Sequence, residues 1–435
     1  MNYNNFFKKA QEVGLEALEL HITKTTNFSF SLFRNEIDSY KIADSFKISA
    51  KGLYNGKIGY CSSEKLDNST PDFIVNHIKQ NALLNTSEDK EFIFEGSESY
   101  KKKKVYNPAL AAVSAEEKVA LIKALDADIR SKDSRLVEVE TEYQEETEEV
   151  TIINSYGLKL NHKANYAVVV AAAVAVDEQG AAKQSYEIKL LTDLSELDAK
   201  ALADKVVKNT VAQFGSGPCA SGKYKCVFNP SCFGSLLSFF LQNISSEAVQ
   251  KNVSLLKGKL NQPVCSNKLT ITEEPLKKNV FFRYFDDEGV ATYNKTLIKK
   301  GVLQTYLYNL KTAHKDGVKT TGNGYSSIRP INVCVKPGKL SEEQLLEKVN
   351  EGIYVDNISG LHSGMNAQSG NFSLIAQGFM IRDGKKAEPV SLITVAGNLF
   401  DVFNNIKEVA NNIEVKTNSF AVPSVFVKSI QVSGK

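Results

Sequence analysis

A series of consecutive strand patterns between residues 137 and 191 limits the folds that this chain can adopt. Its first segment alternates apolar or β-branched residues (Val137, Val139, Thr141, Tyr143) with polar ones (Glu138, Glu140, Glu142, Gln144). A period of two predicts a strand with one buried and one wet, acidic face. Further strand patterns cover residues 150–153, 164–176 and 185–191. Because no helix pattern separates them, they disfavour βαβ units and predict an antiparallel sheet in an α+β fold.

The chain of 435 residues is long enough for two domains. Helical patterns cover residues 4–18, 69–84, 114–130 and 195–214, and Asn55-Gly56 is a strong hairpin signal. Small residues and proline cluster at 215–222. We therefore predict an N-terminal domain of antiparallel sheet and helices over residues 1–215, and a strand-rich C-terminal domain over residues 222–435.

Charge and hydropathy predict a cytoplasmic protein without a membrane or nucleic-acid partner. The net charge is only +3, and the longest apolar run, residues 166–176, is about half of what a membrane-spanning helix needs. The N-terminus lacks the apolar core of a signal peptide. The six cysteines include no CxxC pair, which indicates free thiols in a reducing compartment.

The residues that commonly hold a catalytic metal are scarce. None of the five histidines (His21, His77, His162, His314, His362) lies within 40 residues of another, so no local two-histidine motif exists. The acidic sequence Asp286-Asp287-Glu288 could host a cation, or it could form a turn that caps a strand. Two Gly/Asn turns could let a ligand approach the backbone, or could simply join strands: Gly322, Asn323 and Gly324, and Ser369, Gly370 and Asn371.

Six ordered motifs in the C-terminal half resemble those of the TldD/PmbA family. They are FDDEGV (285–290), KGVLQTYL (300–307), TGNG (321–324), GIYV (352–355), SGNFS (369–373) and TVAGNL (394–399). The N-terminal half agrees more loosely, through FRNEI (33–37) and NGKIG (55–59). An older label for this family is modulator of DNA gyrase, yet the balanced charge and the lack of a basic, aromatic-interleaved patch give no support for DNA contact.

The resemblance implies one of two kinds of subunit. TldD-type chains carry a HExxxH helix and a later cysteine that hold zinc, whereas TldE-type chains lack this set and pair with TldD in a cytosolic protease. If the HExxxH helix is matched to this sequence without a gap, its two histidines and its glutamate fall near Leu237, Ser238 and Gln242. No cysteine follows Cys334. This chain therefore resembles the TldE side, with a degenerate active-site helix and no catalytic or metal-binding residues of its own.

The sequence thus predicts a TldE/PmbA-like, non-catalytic subunit of a zinc-dependent protease that cleaves small or unfolded peptides. Zinc is expected in the TldD-like partner and not in this chain. The turns at Gly322–Gly324 and Ser369–Asn371 are the candidate peptide-binding elements, through strand addition. Two alternatives stay open: a homodimeric peptide-binding or scaffold protein without a protease partner, and an enzyme acting through Asp286, Asp287 and Glu288.

Overall fold

A computed structural model describes residues 3–366 and 368–435. The N-terminal half is built on one antiparallel sheet of six strands in the order β3-β2-β1-β4-β5-β6. Its strands are β1 (Ala17–Phe33), β2 (Glu36–Tyr54), β3 (Lys57–Ser63), β4 (Leu136–Asn154), β5 (Lys159–Val176) and β6 (Ala182–Leu191). Its helices are α1 (Asn4–Glu12), α2 (Thr70–Leu84), α3 (Pro108–Ala112), α4 (Ala115–Ser131) and α5 (Ala199–Val211), with a 3-10 turn at Leu194–Glu196.

The alternation in β4 decides which face of this sheet the helices cover. Val139 and Tyr143 are fully buried and share a core with Ile122 of α4 and Leu202 of α5. The intervening residues, such as Glu140, point to the opposite face, which no described helix of the N-terminal half covers. Val137 is an exception to the expected pattern: it is 57% exposed, because the register with β5 shifts between Leu136 and Glu138.

The predicted first helix is too long. It ends at Glu12 instead of residue 18, and β1 begins at Ala17. Gly14 has φ +83°, a left-handed conformation that breaks the helix and that glycine adopts without steric cost. The apolar residues beyond it belong to the strand. The predicted hairpin is confirmed, since Asn55 and Gly56 both have positive φ and join β2 to β3.

The C-terminal half contains two further six-stranded sheets, ordered β10-β9-β8-β11-β17-β16 and β14-β13-β12-β7-β18-β15, and β14 also pairs with β18. The strands are β7 (Gly222–Phe228), β8 (Ile271–Glu273), β9 (Lys295–Lys299), β10 (Val302–Leu303), β11 (Val333–Val335), β12 (Gly352–Ser359), β13 (Asn371–Arg382), β14 (Lys385–Asn398), β15 (Ile406–Val409), β16 (Glu414–Val415), β17 (Phe420–Val422) and β18 (Val425–Ser433). The helices are α6 (Pro230–Gln242), α7 (Ser246–Gln250), α8 (Leu310–Asp316), α9 (Glu342–Val349), α10 (Leu361–Gly364) and α11 (Leu399–Asn404). The predicted α+β class is confirmed.

Two features join the halves and thereby position the site. Val150 and Ile152 of β4 form one apolar cluster with Phe282 and Phe285 from the C-terminal half. The segment between α2 and α3, called the crossing segment below, also contacts the C-terminal half. Its Tyr100 hydroxyl donates a hydrogen bond of 2.7 Å to the Gly289 carbonyl. Among the described residues, no helix is long and apolar enough to cross a membrane.

Candidate functional site

A cavity of about 1210 Å³ lies between the two halves of the chain. One wall is the sheet face that carries the acidic residues of β4, together with parts of β5 and β6. The opposite wall comes from α6, α7 and the loops at residues 327–331 and 417–420. A large cleft between domains, with a few polar groups on apolar walls, is the usual setting of a ligand site.

Helix α6 presents two of its three predicted site residues to the cavity. The Asn229 side chain caps the helix by accepting from the Cys232 amide at 2.8 Å. Ser238 and Gln242, one turn apart, line the cavity. Leu237 does not: it is fully buried in the C-terminal core. Of the three degenerate metal-site positions, Ser238 and Gln242 therefore lie at the cavity and Leu237 lies in the core.

The two residues that α6 presents to the cavity do not fit zinc. A serine hydroxyl and a glutamine amide are poor substitutes for the imidazole, thiolate and carboxylate ligands that zinc takes in proteins. Within the described ranges, no group of three or more His, Cys, Asp or Glu side chains is placed to hold a metal ion.

His162 on β5 lines the same cavity but has a packing role. Its ring is 4% exposed, and its centroid lies 5.9 to 6.5 Å from those of Phe282, Tyr284 and Phe285. Burial, with a smaller effect of the nearby Arg283, lowers the pKa of this imidazole to about 4. The ring is therefore neutral at pH 7.

Glu146 and Glu148 of β4 provide the carboxylates of the sheet wall. Glu148 pairs with Arg283 at 3.0 Å, and Arg283 also contacts Asp287 at 3.4 Å. Glu146 accepts one hydrogen bond of 3.2 Å, from the Tyr166 hydroxyl. Burial raises the pKa of the Glu146 carboxyl, and the neighbouring Glu148 charge raises it further. Glu146 and Glu148 are not among the predicted site residues, although the alternation of β4 extends through them and could have indicated a shared face.

The turn at residues 322–324 is a buried structural element. The Asn323 side chain is fully buried and donates to the Glu273 carboxylate at 2.8 Å. The Gly324 amide donates to Asp286 at 2.8 Å, and a Cβ at Gly324 would lie 2.3 Å from the Glu288 carboxylate. This turn does not line the cavity.

The turn at residues 369–371 is exposed, apart from the buried Gly370, and also lies outside the cavity lining. The Asn398 side chain donates to the Ser369 carbonyl at 2.9 Å and to the Asn371 side chain at 3.0 Å. Gly370 has φ +73°, as a tight connection into β13 requires. The structure thus places neither predicted peptide-binding turn at the cavity.

The acidic turn at residues 286–288 stabilises the chain fold. Asp286 is fully buried, and its carboxylate accepts from the amides of Glu288 (3.0 Å), Val290 (2.9 Å) and Gly324 (2.8 Å). Burial raises the pKa of Asp286 well above its usual range. Three backbone amides bind the Asp286 carboxylate, and the residue is not exposed to solvent, which favours the strand-capping interpretation over an active site.

The comparisons with known proteins agree with this architecture. Residues 108–214 match the model of the PmbA/TldA metallopeptidase central domain, and residues 221–434 match that of the C-terminal domain. The metalloprotease PmbA of Escherichia coli O157:H7 is 25% identical, over 97% of this chain and 93% of its own.

Two solved structures superpose over nearly the whole chain. A proposed modulator of a DNA gyrase from Thermotoga maritima has a TM-score of 0.91 and 32% identity, covering 99% of both chains. TldE from Thermococcus kodakarensis also has a TM-score of 0.91, at 22% identity and 99% coverage of both chains, and at that identity the likeness concerns the fold.

Proposed function

Because the chain belongs to the TldD/PmbA metallopeptidase family, we propose that it is a TldE/PmbA-like, non-catalytic subunit of a cytoplasmic zinc-dependent protease that cleaves small or unfolded peptides. The observation that carries the proposal is the pair Ser238 and Gln242, which stand on the cavity-facing side of α6. Neither side chain can hold zinc or act as a general base at neutral pH. The catalytic zinc is expected in a HExxxH-bearing, TldD-like partner, where it would generate a hydroxide nucleophile.

The role of this chain is to enclose and hold the peptide. Strand β6 supports this role, because among the described strands it pairs only with β5, and its Ile188 and Leu190 line the cavity. The free edge of a strand offers backbone donors and acceptors, so an extended peptide can add to it with little dependence on sequence. We propose this edge in place of the turns at residues 322–324 and 369–371.

Co-expression with a HExxxH-bearing relative from the same genome tests the proposal. We expect a stable complex on size-exclusion chromatography whose peptidase activity is removed by a chelator, and no activity from this chain alone. A matched control replaces the first histidine of the partner motif with alanine, which should abolish activity while the complex persists. Stoichiometric zinc and metal-dependent hydrolysis in the isolated chain, or a genome without such a partner, would contradict the proposal.

A further inference from the structure

One carboxylate of the cavity has no cationic partner in the described part of the chain. Three carboxylates line the cavity, and two of them are paired: Glu148 with Arg283 at 3.0 Å and Glu247 with Lys251 at 2.6 Å. The third, Glu146, forms no ion pair within the described chain, and its one hydrogen bond comes from a neutral hydroxyl. Burying part of a carboxylate without a counter-charge costs free energy that a bound cation would recover.

The immediate surroundings of Glu146 disfavour its charged form. The carboxyl is half-buried, and both burial and the Glu148 charge raise its pKa, whereas the Tyr166 hydrogen bond lowers it. The Arg329 guanidinium lies on the opposite wall of the cavity, 5.5 Å from the Tyr325 ring. The Tyr325 hydroxyl is itself buried with no hydrogen-bond partner among the described residues. The two walls thus carry a carboxylate and a guanidinium that form no ion pair with each other or with another described residue.

An apolar surface formed by Val168, Ile188 and Leu190 continues from Glu146 along the sheet, and we call it the apolar floor. Glu146 is opposite Tyr166 on β5, and two residues further along β5 Val168 is opposite Leu190 on β6. Ile188, which is 40% exposed, extends this floor. The wall therefore combines one carboxylate that forms no ion pair in the described chain with an adjoining half-exposed apolar surface that can take an aliphatic side chain.

We propose that Glu146 binds a cationic group of an extended peptide, either its N-terminal ammonium or a lysine or arginine side chain, while the apolar floor takes a neighbouring side chain. The proposal rests on the proposed function for its premise that the ligand is a peptide. A divalent metal ion fits poorly, because calcium and magnesium take six or more oxygen ligands, and within the described ranges no group of three or more His, Cys, Asp or Glu side chains could hold a metal ion. An ammonium needs at most three acceptors, which the Glu146 carboxylate and peptide carbonyls can supply.

The test uses the full chain and octapeptides of alanine, serine and leucine with a neutral C-terminal fluorophore. One peptide is N-acetylated and uncharged, the second is acetylated and carries one lysine, the third is acetylated and carries one arginine, and the fourth has a free N-terminus. Binding is followed by fluorescence anisotropy at low salt. We expect at least one cationic peptide to bind about tenfold more tightly than the neutral one, as a charged hydrogen bond provides. The second, third and fourth peptides identify the source of the cation.

The substitution Glu146→Gln should remove this preference while leaving binding of the neutral peptide unchanged. The matched control is Glu140→Gln, which makes the same change on the same face of β4 but outside the cavity. It should keep the full preference. The unfolding temperatures of both variants establish that they fold.

Three results would overturn the inference: a preference that survives in Glu146→Gln, an equal loss in Glu140→Gln, or a wild-type chain that binds no peptide or shows no preference. Each of these leaves the proposed function intact if the co-expressed complex still hydrolyses peptides. Conversely, a preference that depends on Glu146 would stand even if no partner subunit were found. The two failures are therefore distinguishable.

Discussion

At the scale of single residues, the glutamates of β4 have different roles according to the face on which the alternation puts them. Glu140 is exposed on the uncovered face, whereas Glu145 points into the helix-covered core. There Glu145 pairs with Lys118 of α4 at 2.7 Å and accepts from the Tyr143 hydroxyl at 2.7 Å. Glu146, the next residue, lies in the cavity. The sequence alone shows only that Glu145 and Glu146 are adjacent. The register of the strand determines that Glu145 forms a buried ion pair and that Glu146 is a candidate ligand-binding carboxylate.

His162 makes the stability of the protein depend on pH. Its pKa in the folded chain is about 4, whereas an unfolded histidine has a pKa of roughly 6.5. As the pH falls below about 6.5 the unfolded chain takes up the proton and the folded chain does not, so stability is lost until about pH 4. We expect a loss of about 2 kcal/mol from this residue between pH 7 and pH 5.

Urea unfolding of wild type and His162→Gln at pH 7 and pH 5 measures this effect. The variant should lose less stability than the wild type over this range, by about 2 kcal/mol. The exposed His362 provides the control, because His362→Gln should behave as the wild type does. Parallel pH profiles for wild type and His162→Gln would contradict the assignment.

At the scale of elements, Gly59 of β3 sets how closely α2 packs on the sheet. A Cβ at this position would lie 1.9 Å from the Ile78 carbonyl oxygen and 2.7 Å from the Ala82 amide nitrogen. Both are backbone atoms of α2, so the helix itself would have to move. We expect Gly59→Ala to destabilise the protein by about 3 kcal/mol or more, from overpacking. Thermal unfolding measures this change.

The control for Gly59 is Gly217→Ala. A Cβ added at Gly217 would have no atom within 4 Å, and the φ of this residue is not positive. The substitution should therefore change stability by less than about 0.5 kcal/mol. Equal unfolding temperatures for Gly59→Ala and the wild type would mean that α2 does not pack on β3 as closely as described.

Local patterns predicted several elements well because the signals act within a few residues. The helical pattern over residues 114–130 predicted α4, which begins with a capping box between Ser114 and Glu117. The Asn55-Gly56 signal likewise predicted the hairpin between β2 and β3. The cavity could not be predicted in this way. It forms between β4–β6 and α6, elements whose separation in sequence gives no local signal. For the same reason Asn323 could not be identified as buried, since its partner Glu273 is 50 residues away.

At the scale of the whole molecule, contacts between the halves hold the cavity walls in place. The apolar cluster around Ile152 and Phe282 packs them together, and the Arg283–Glu148 ion pair crosses between them at the cavity itself. The crossing segment between α2 and α3 adds Lys311–Asp89 at 2.9 Å. A peptide held between the walls therefore meets two surfaces whose relative position depends on these apolar and polar contacts, so each contact is a testable determinant of the site.

The Tyr100 hydroxyl is one such link, because it donates to the Gly289 carbonyl and accepts from the Ser97 amide at 2.9 Å. Tyr100→Phe leaves both backbone groups without this partner, which costs about 1–3 kcal/mol locally. We expect limited proteolysis of the crossing segment to accelerate about tenfold, with global unfolding little changed. Tyr106→Phe, in the same segment, removes a hydroxyl that has no hydrogen-bond partner in the described chain and should leave the rate unchanged. Equal cleavage rates in the two variants would show that the Tyr100 hydroxyl does not hold the halves together.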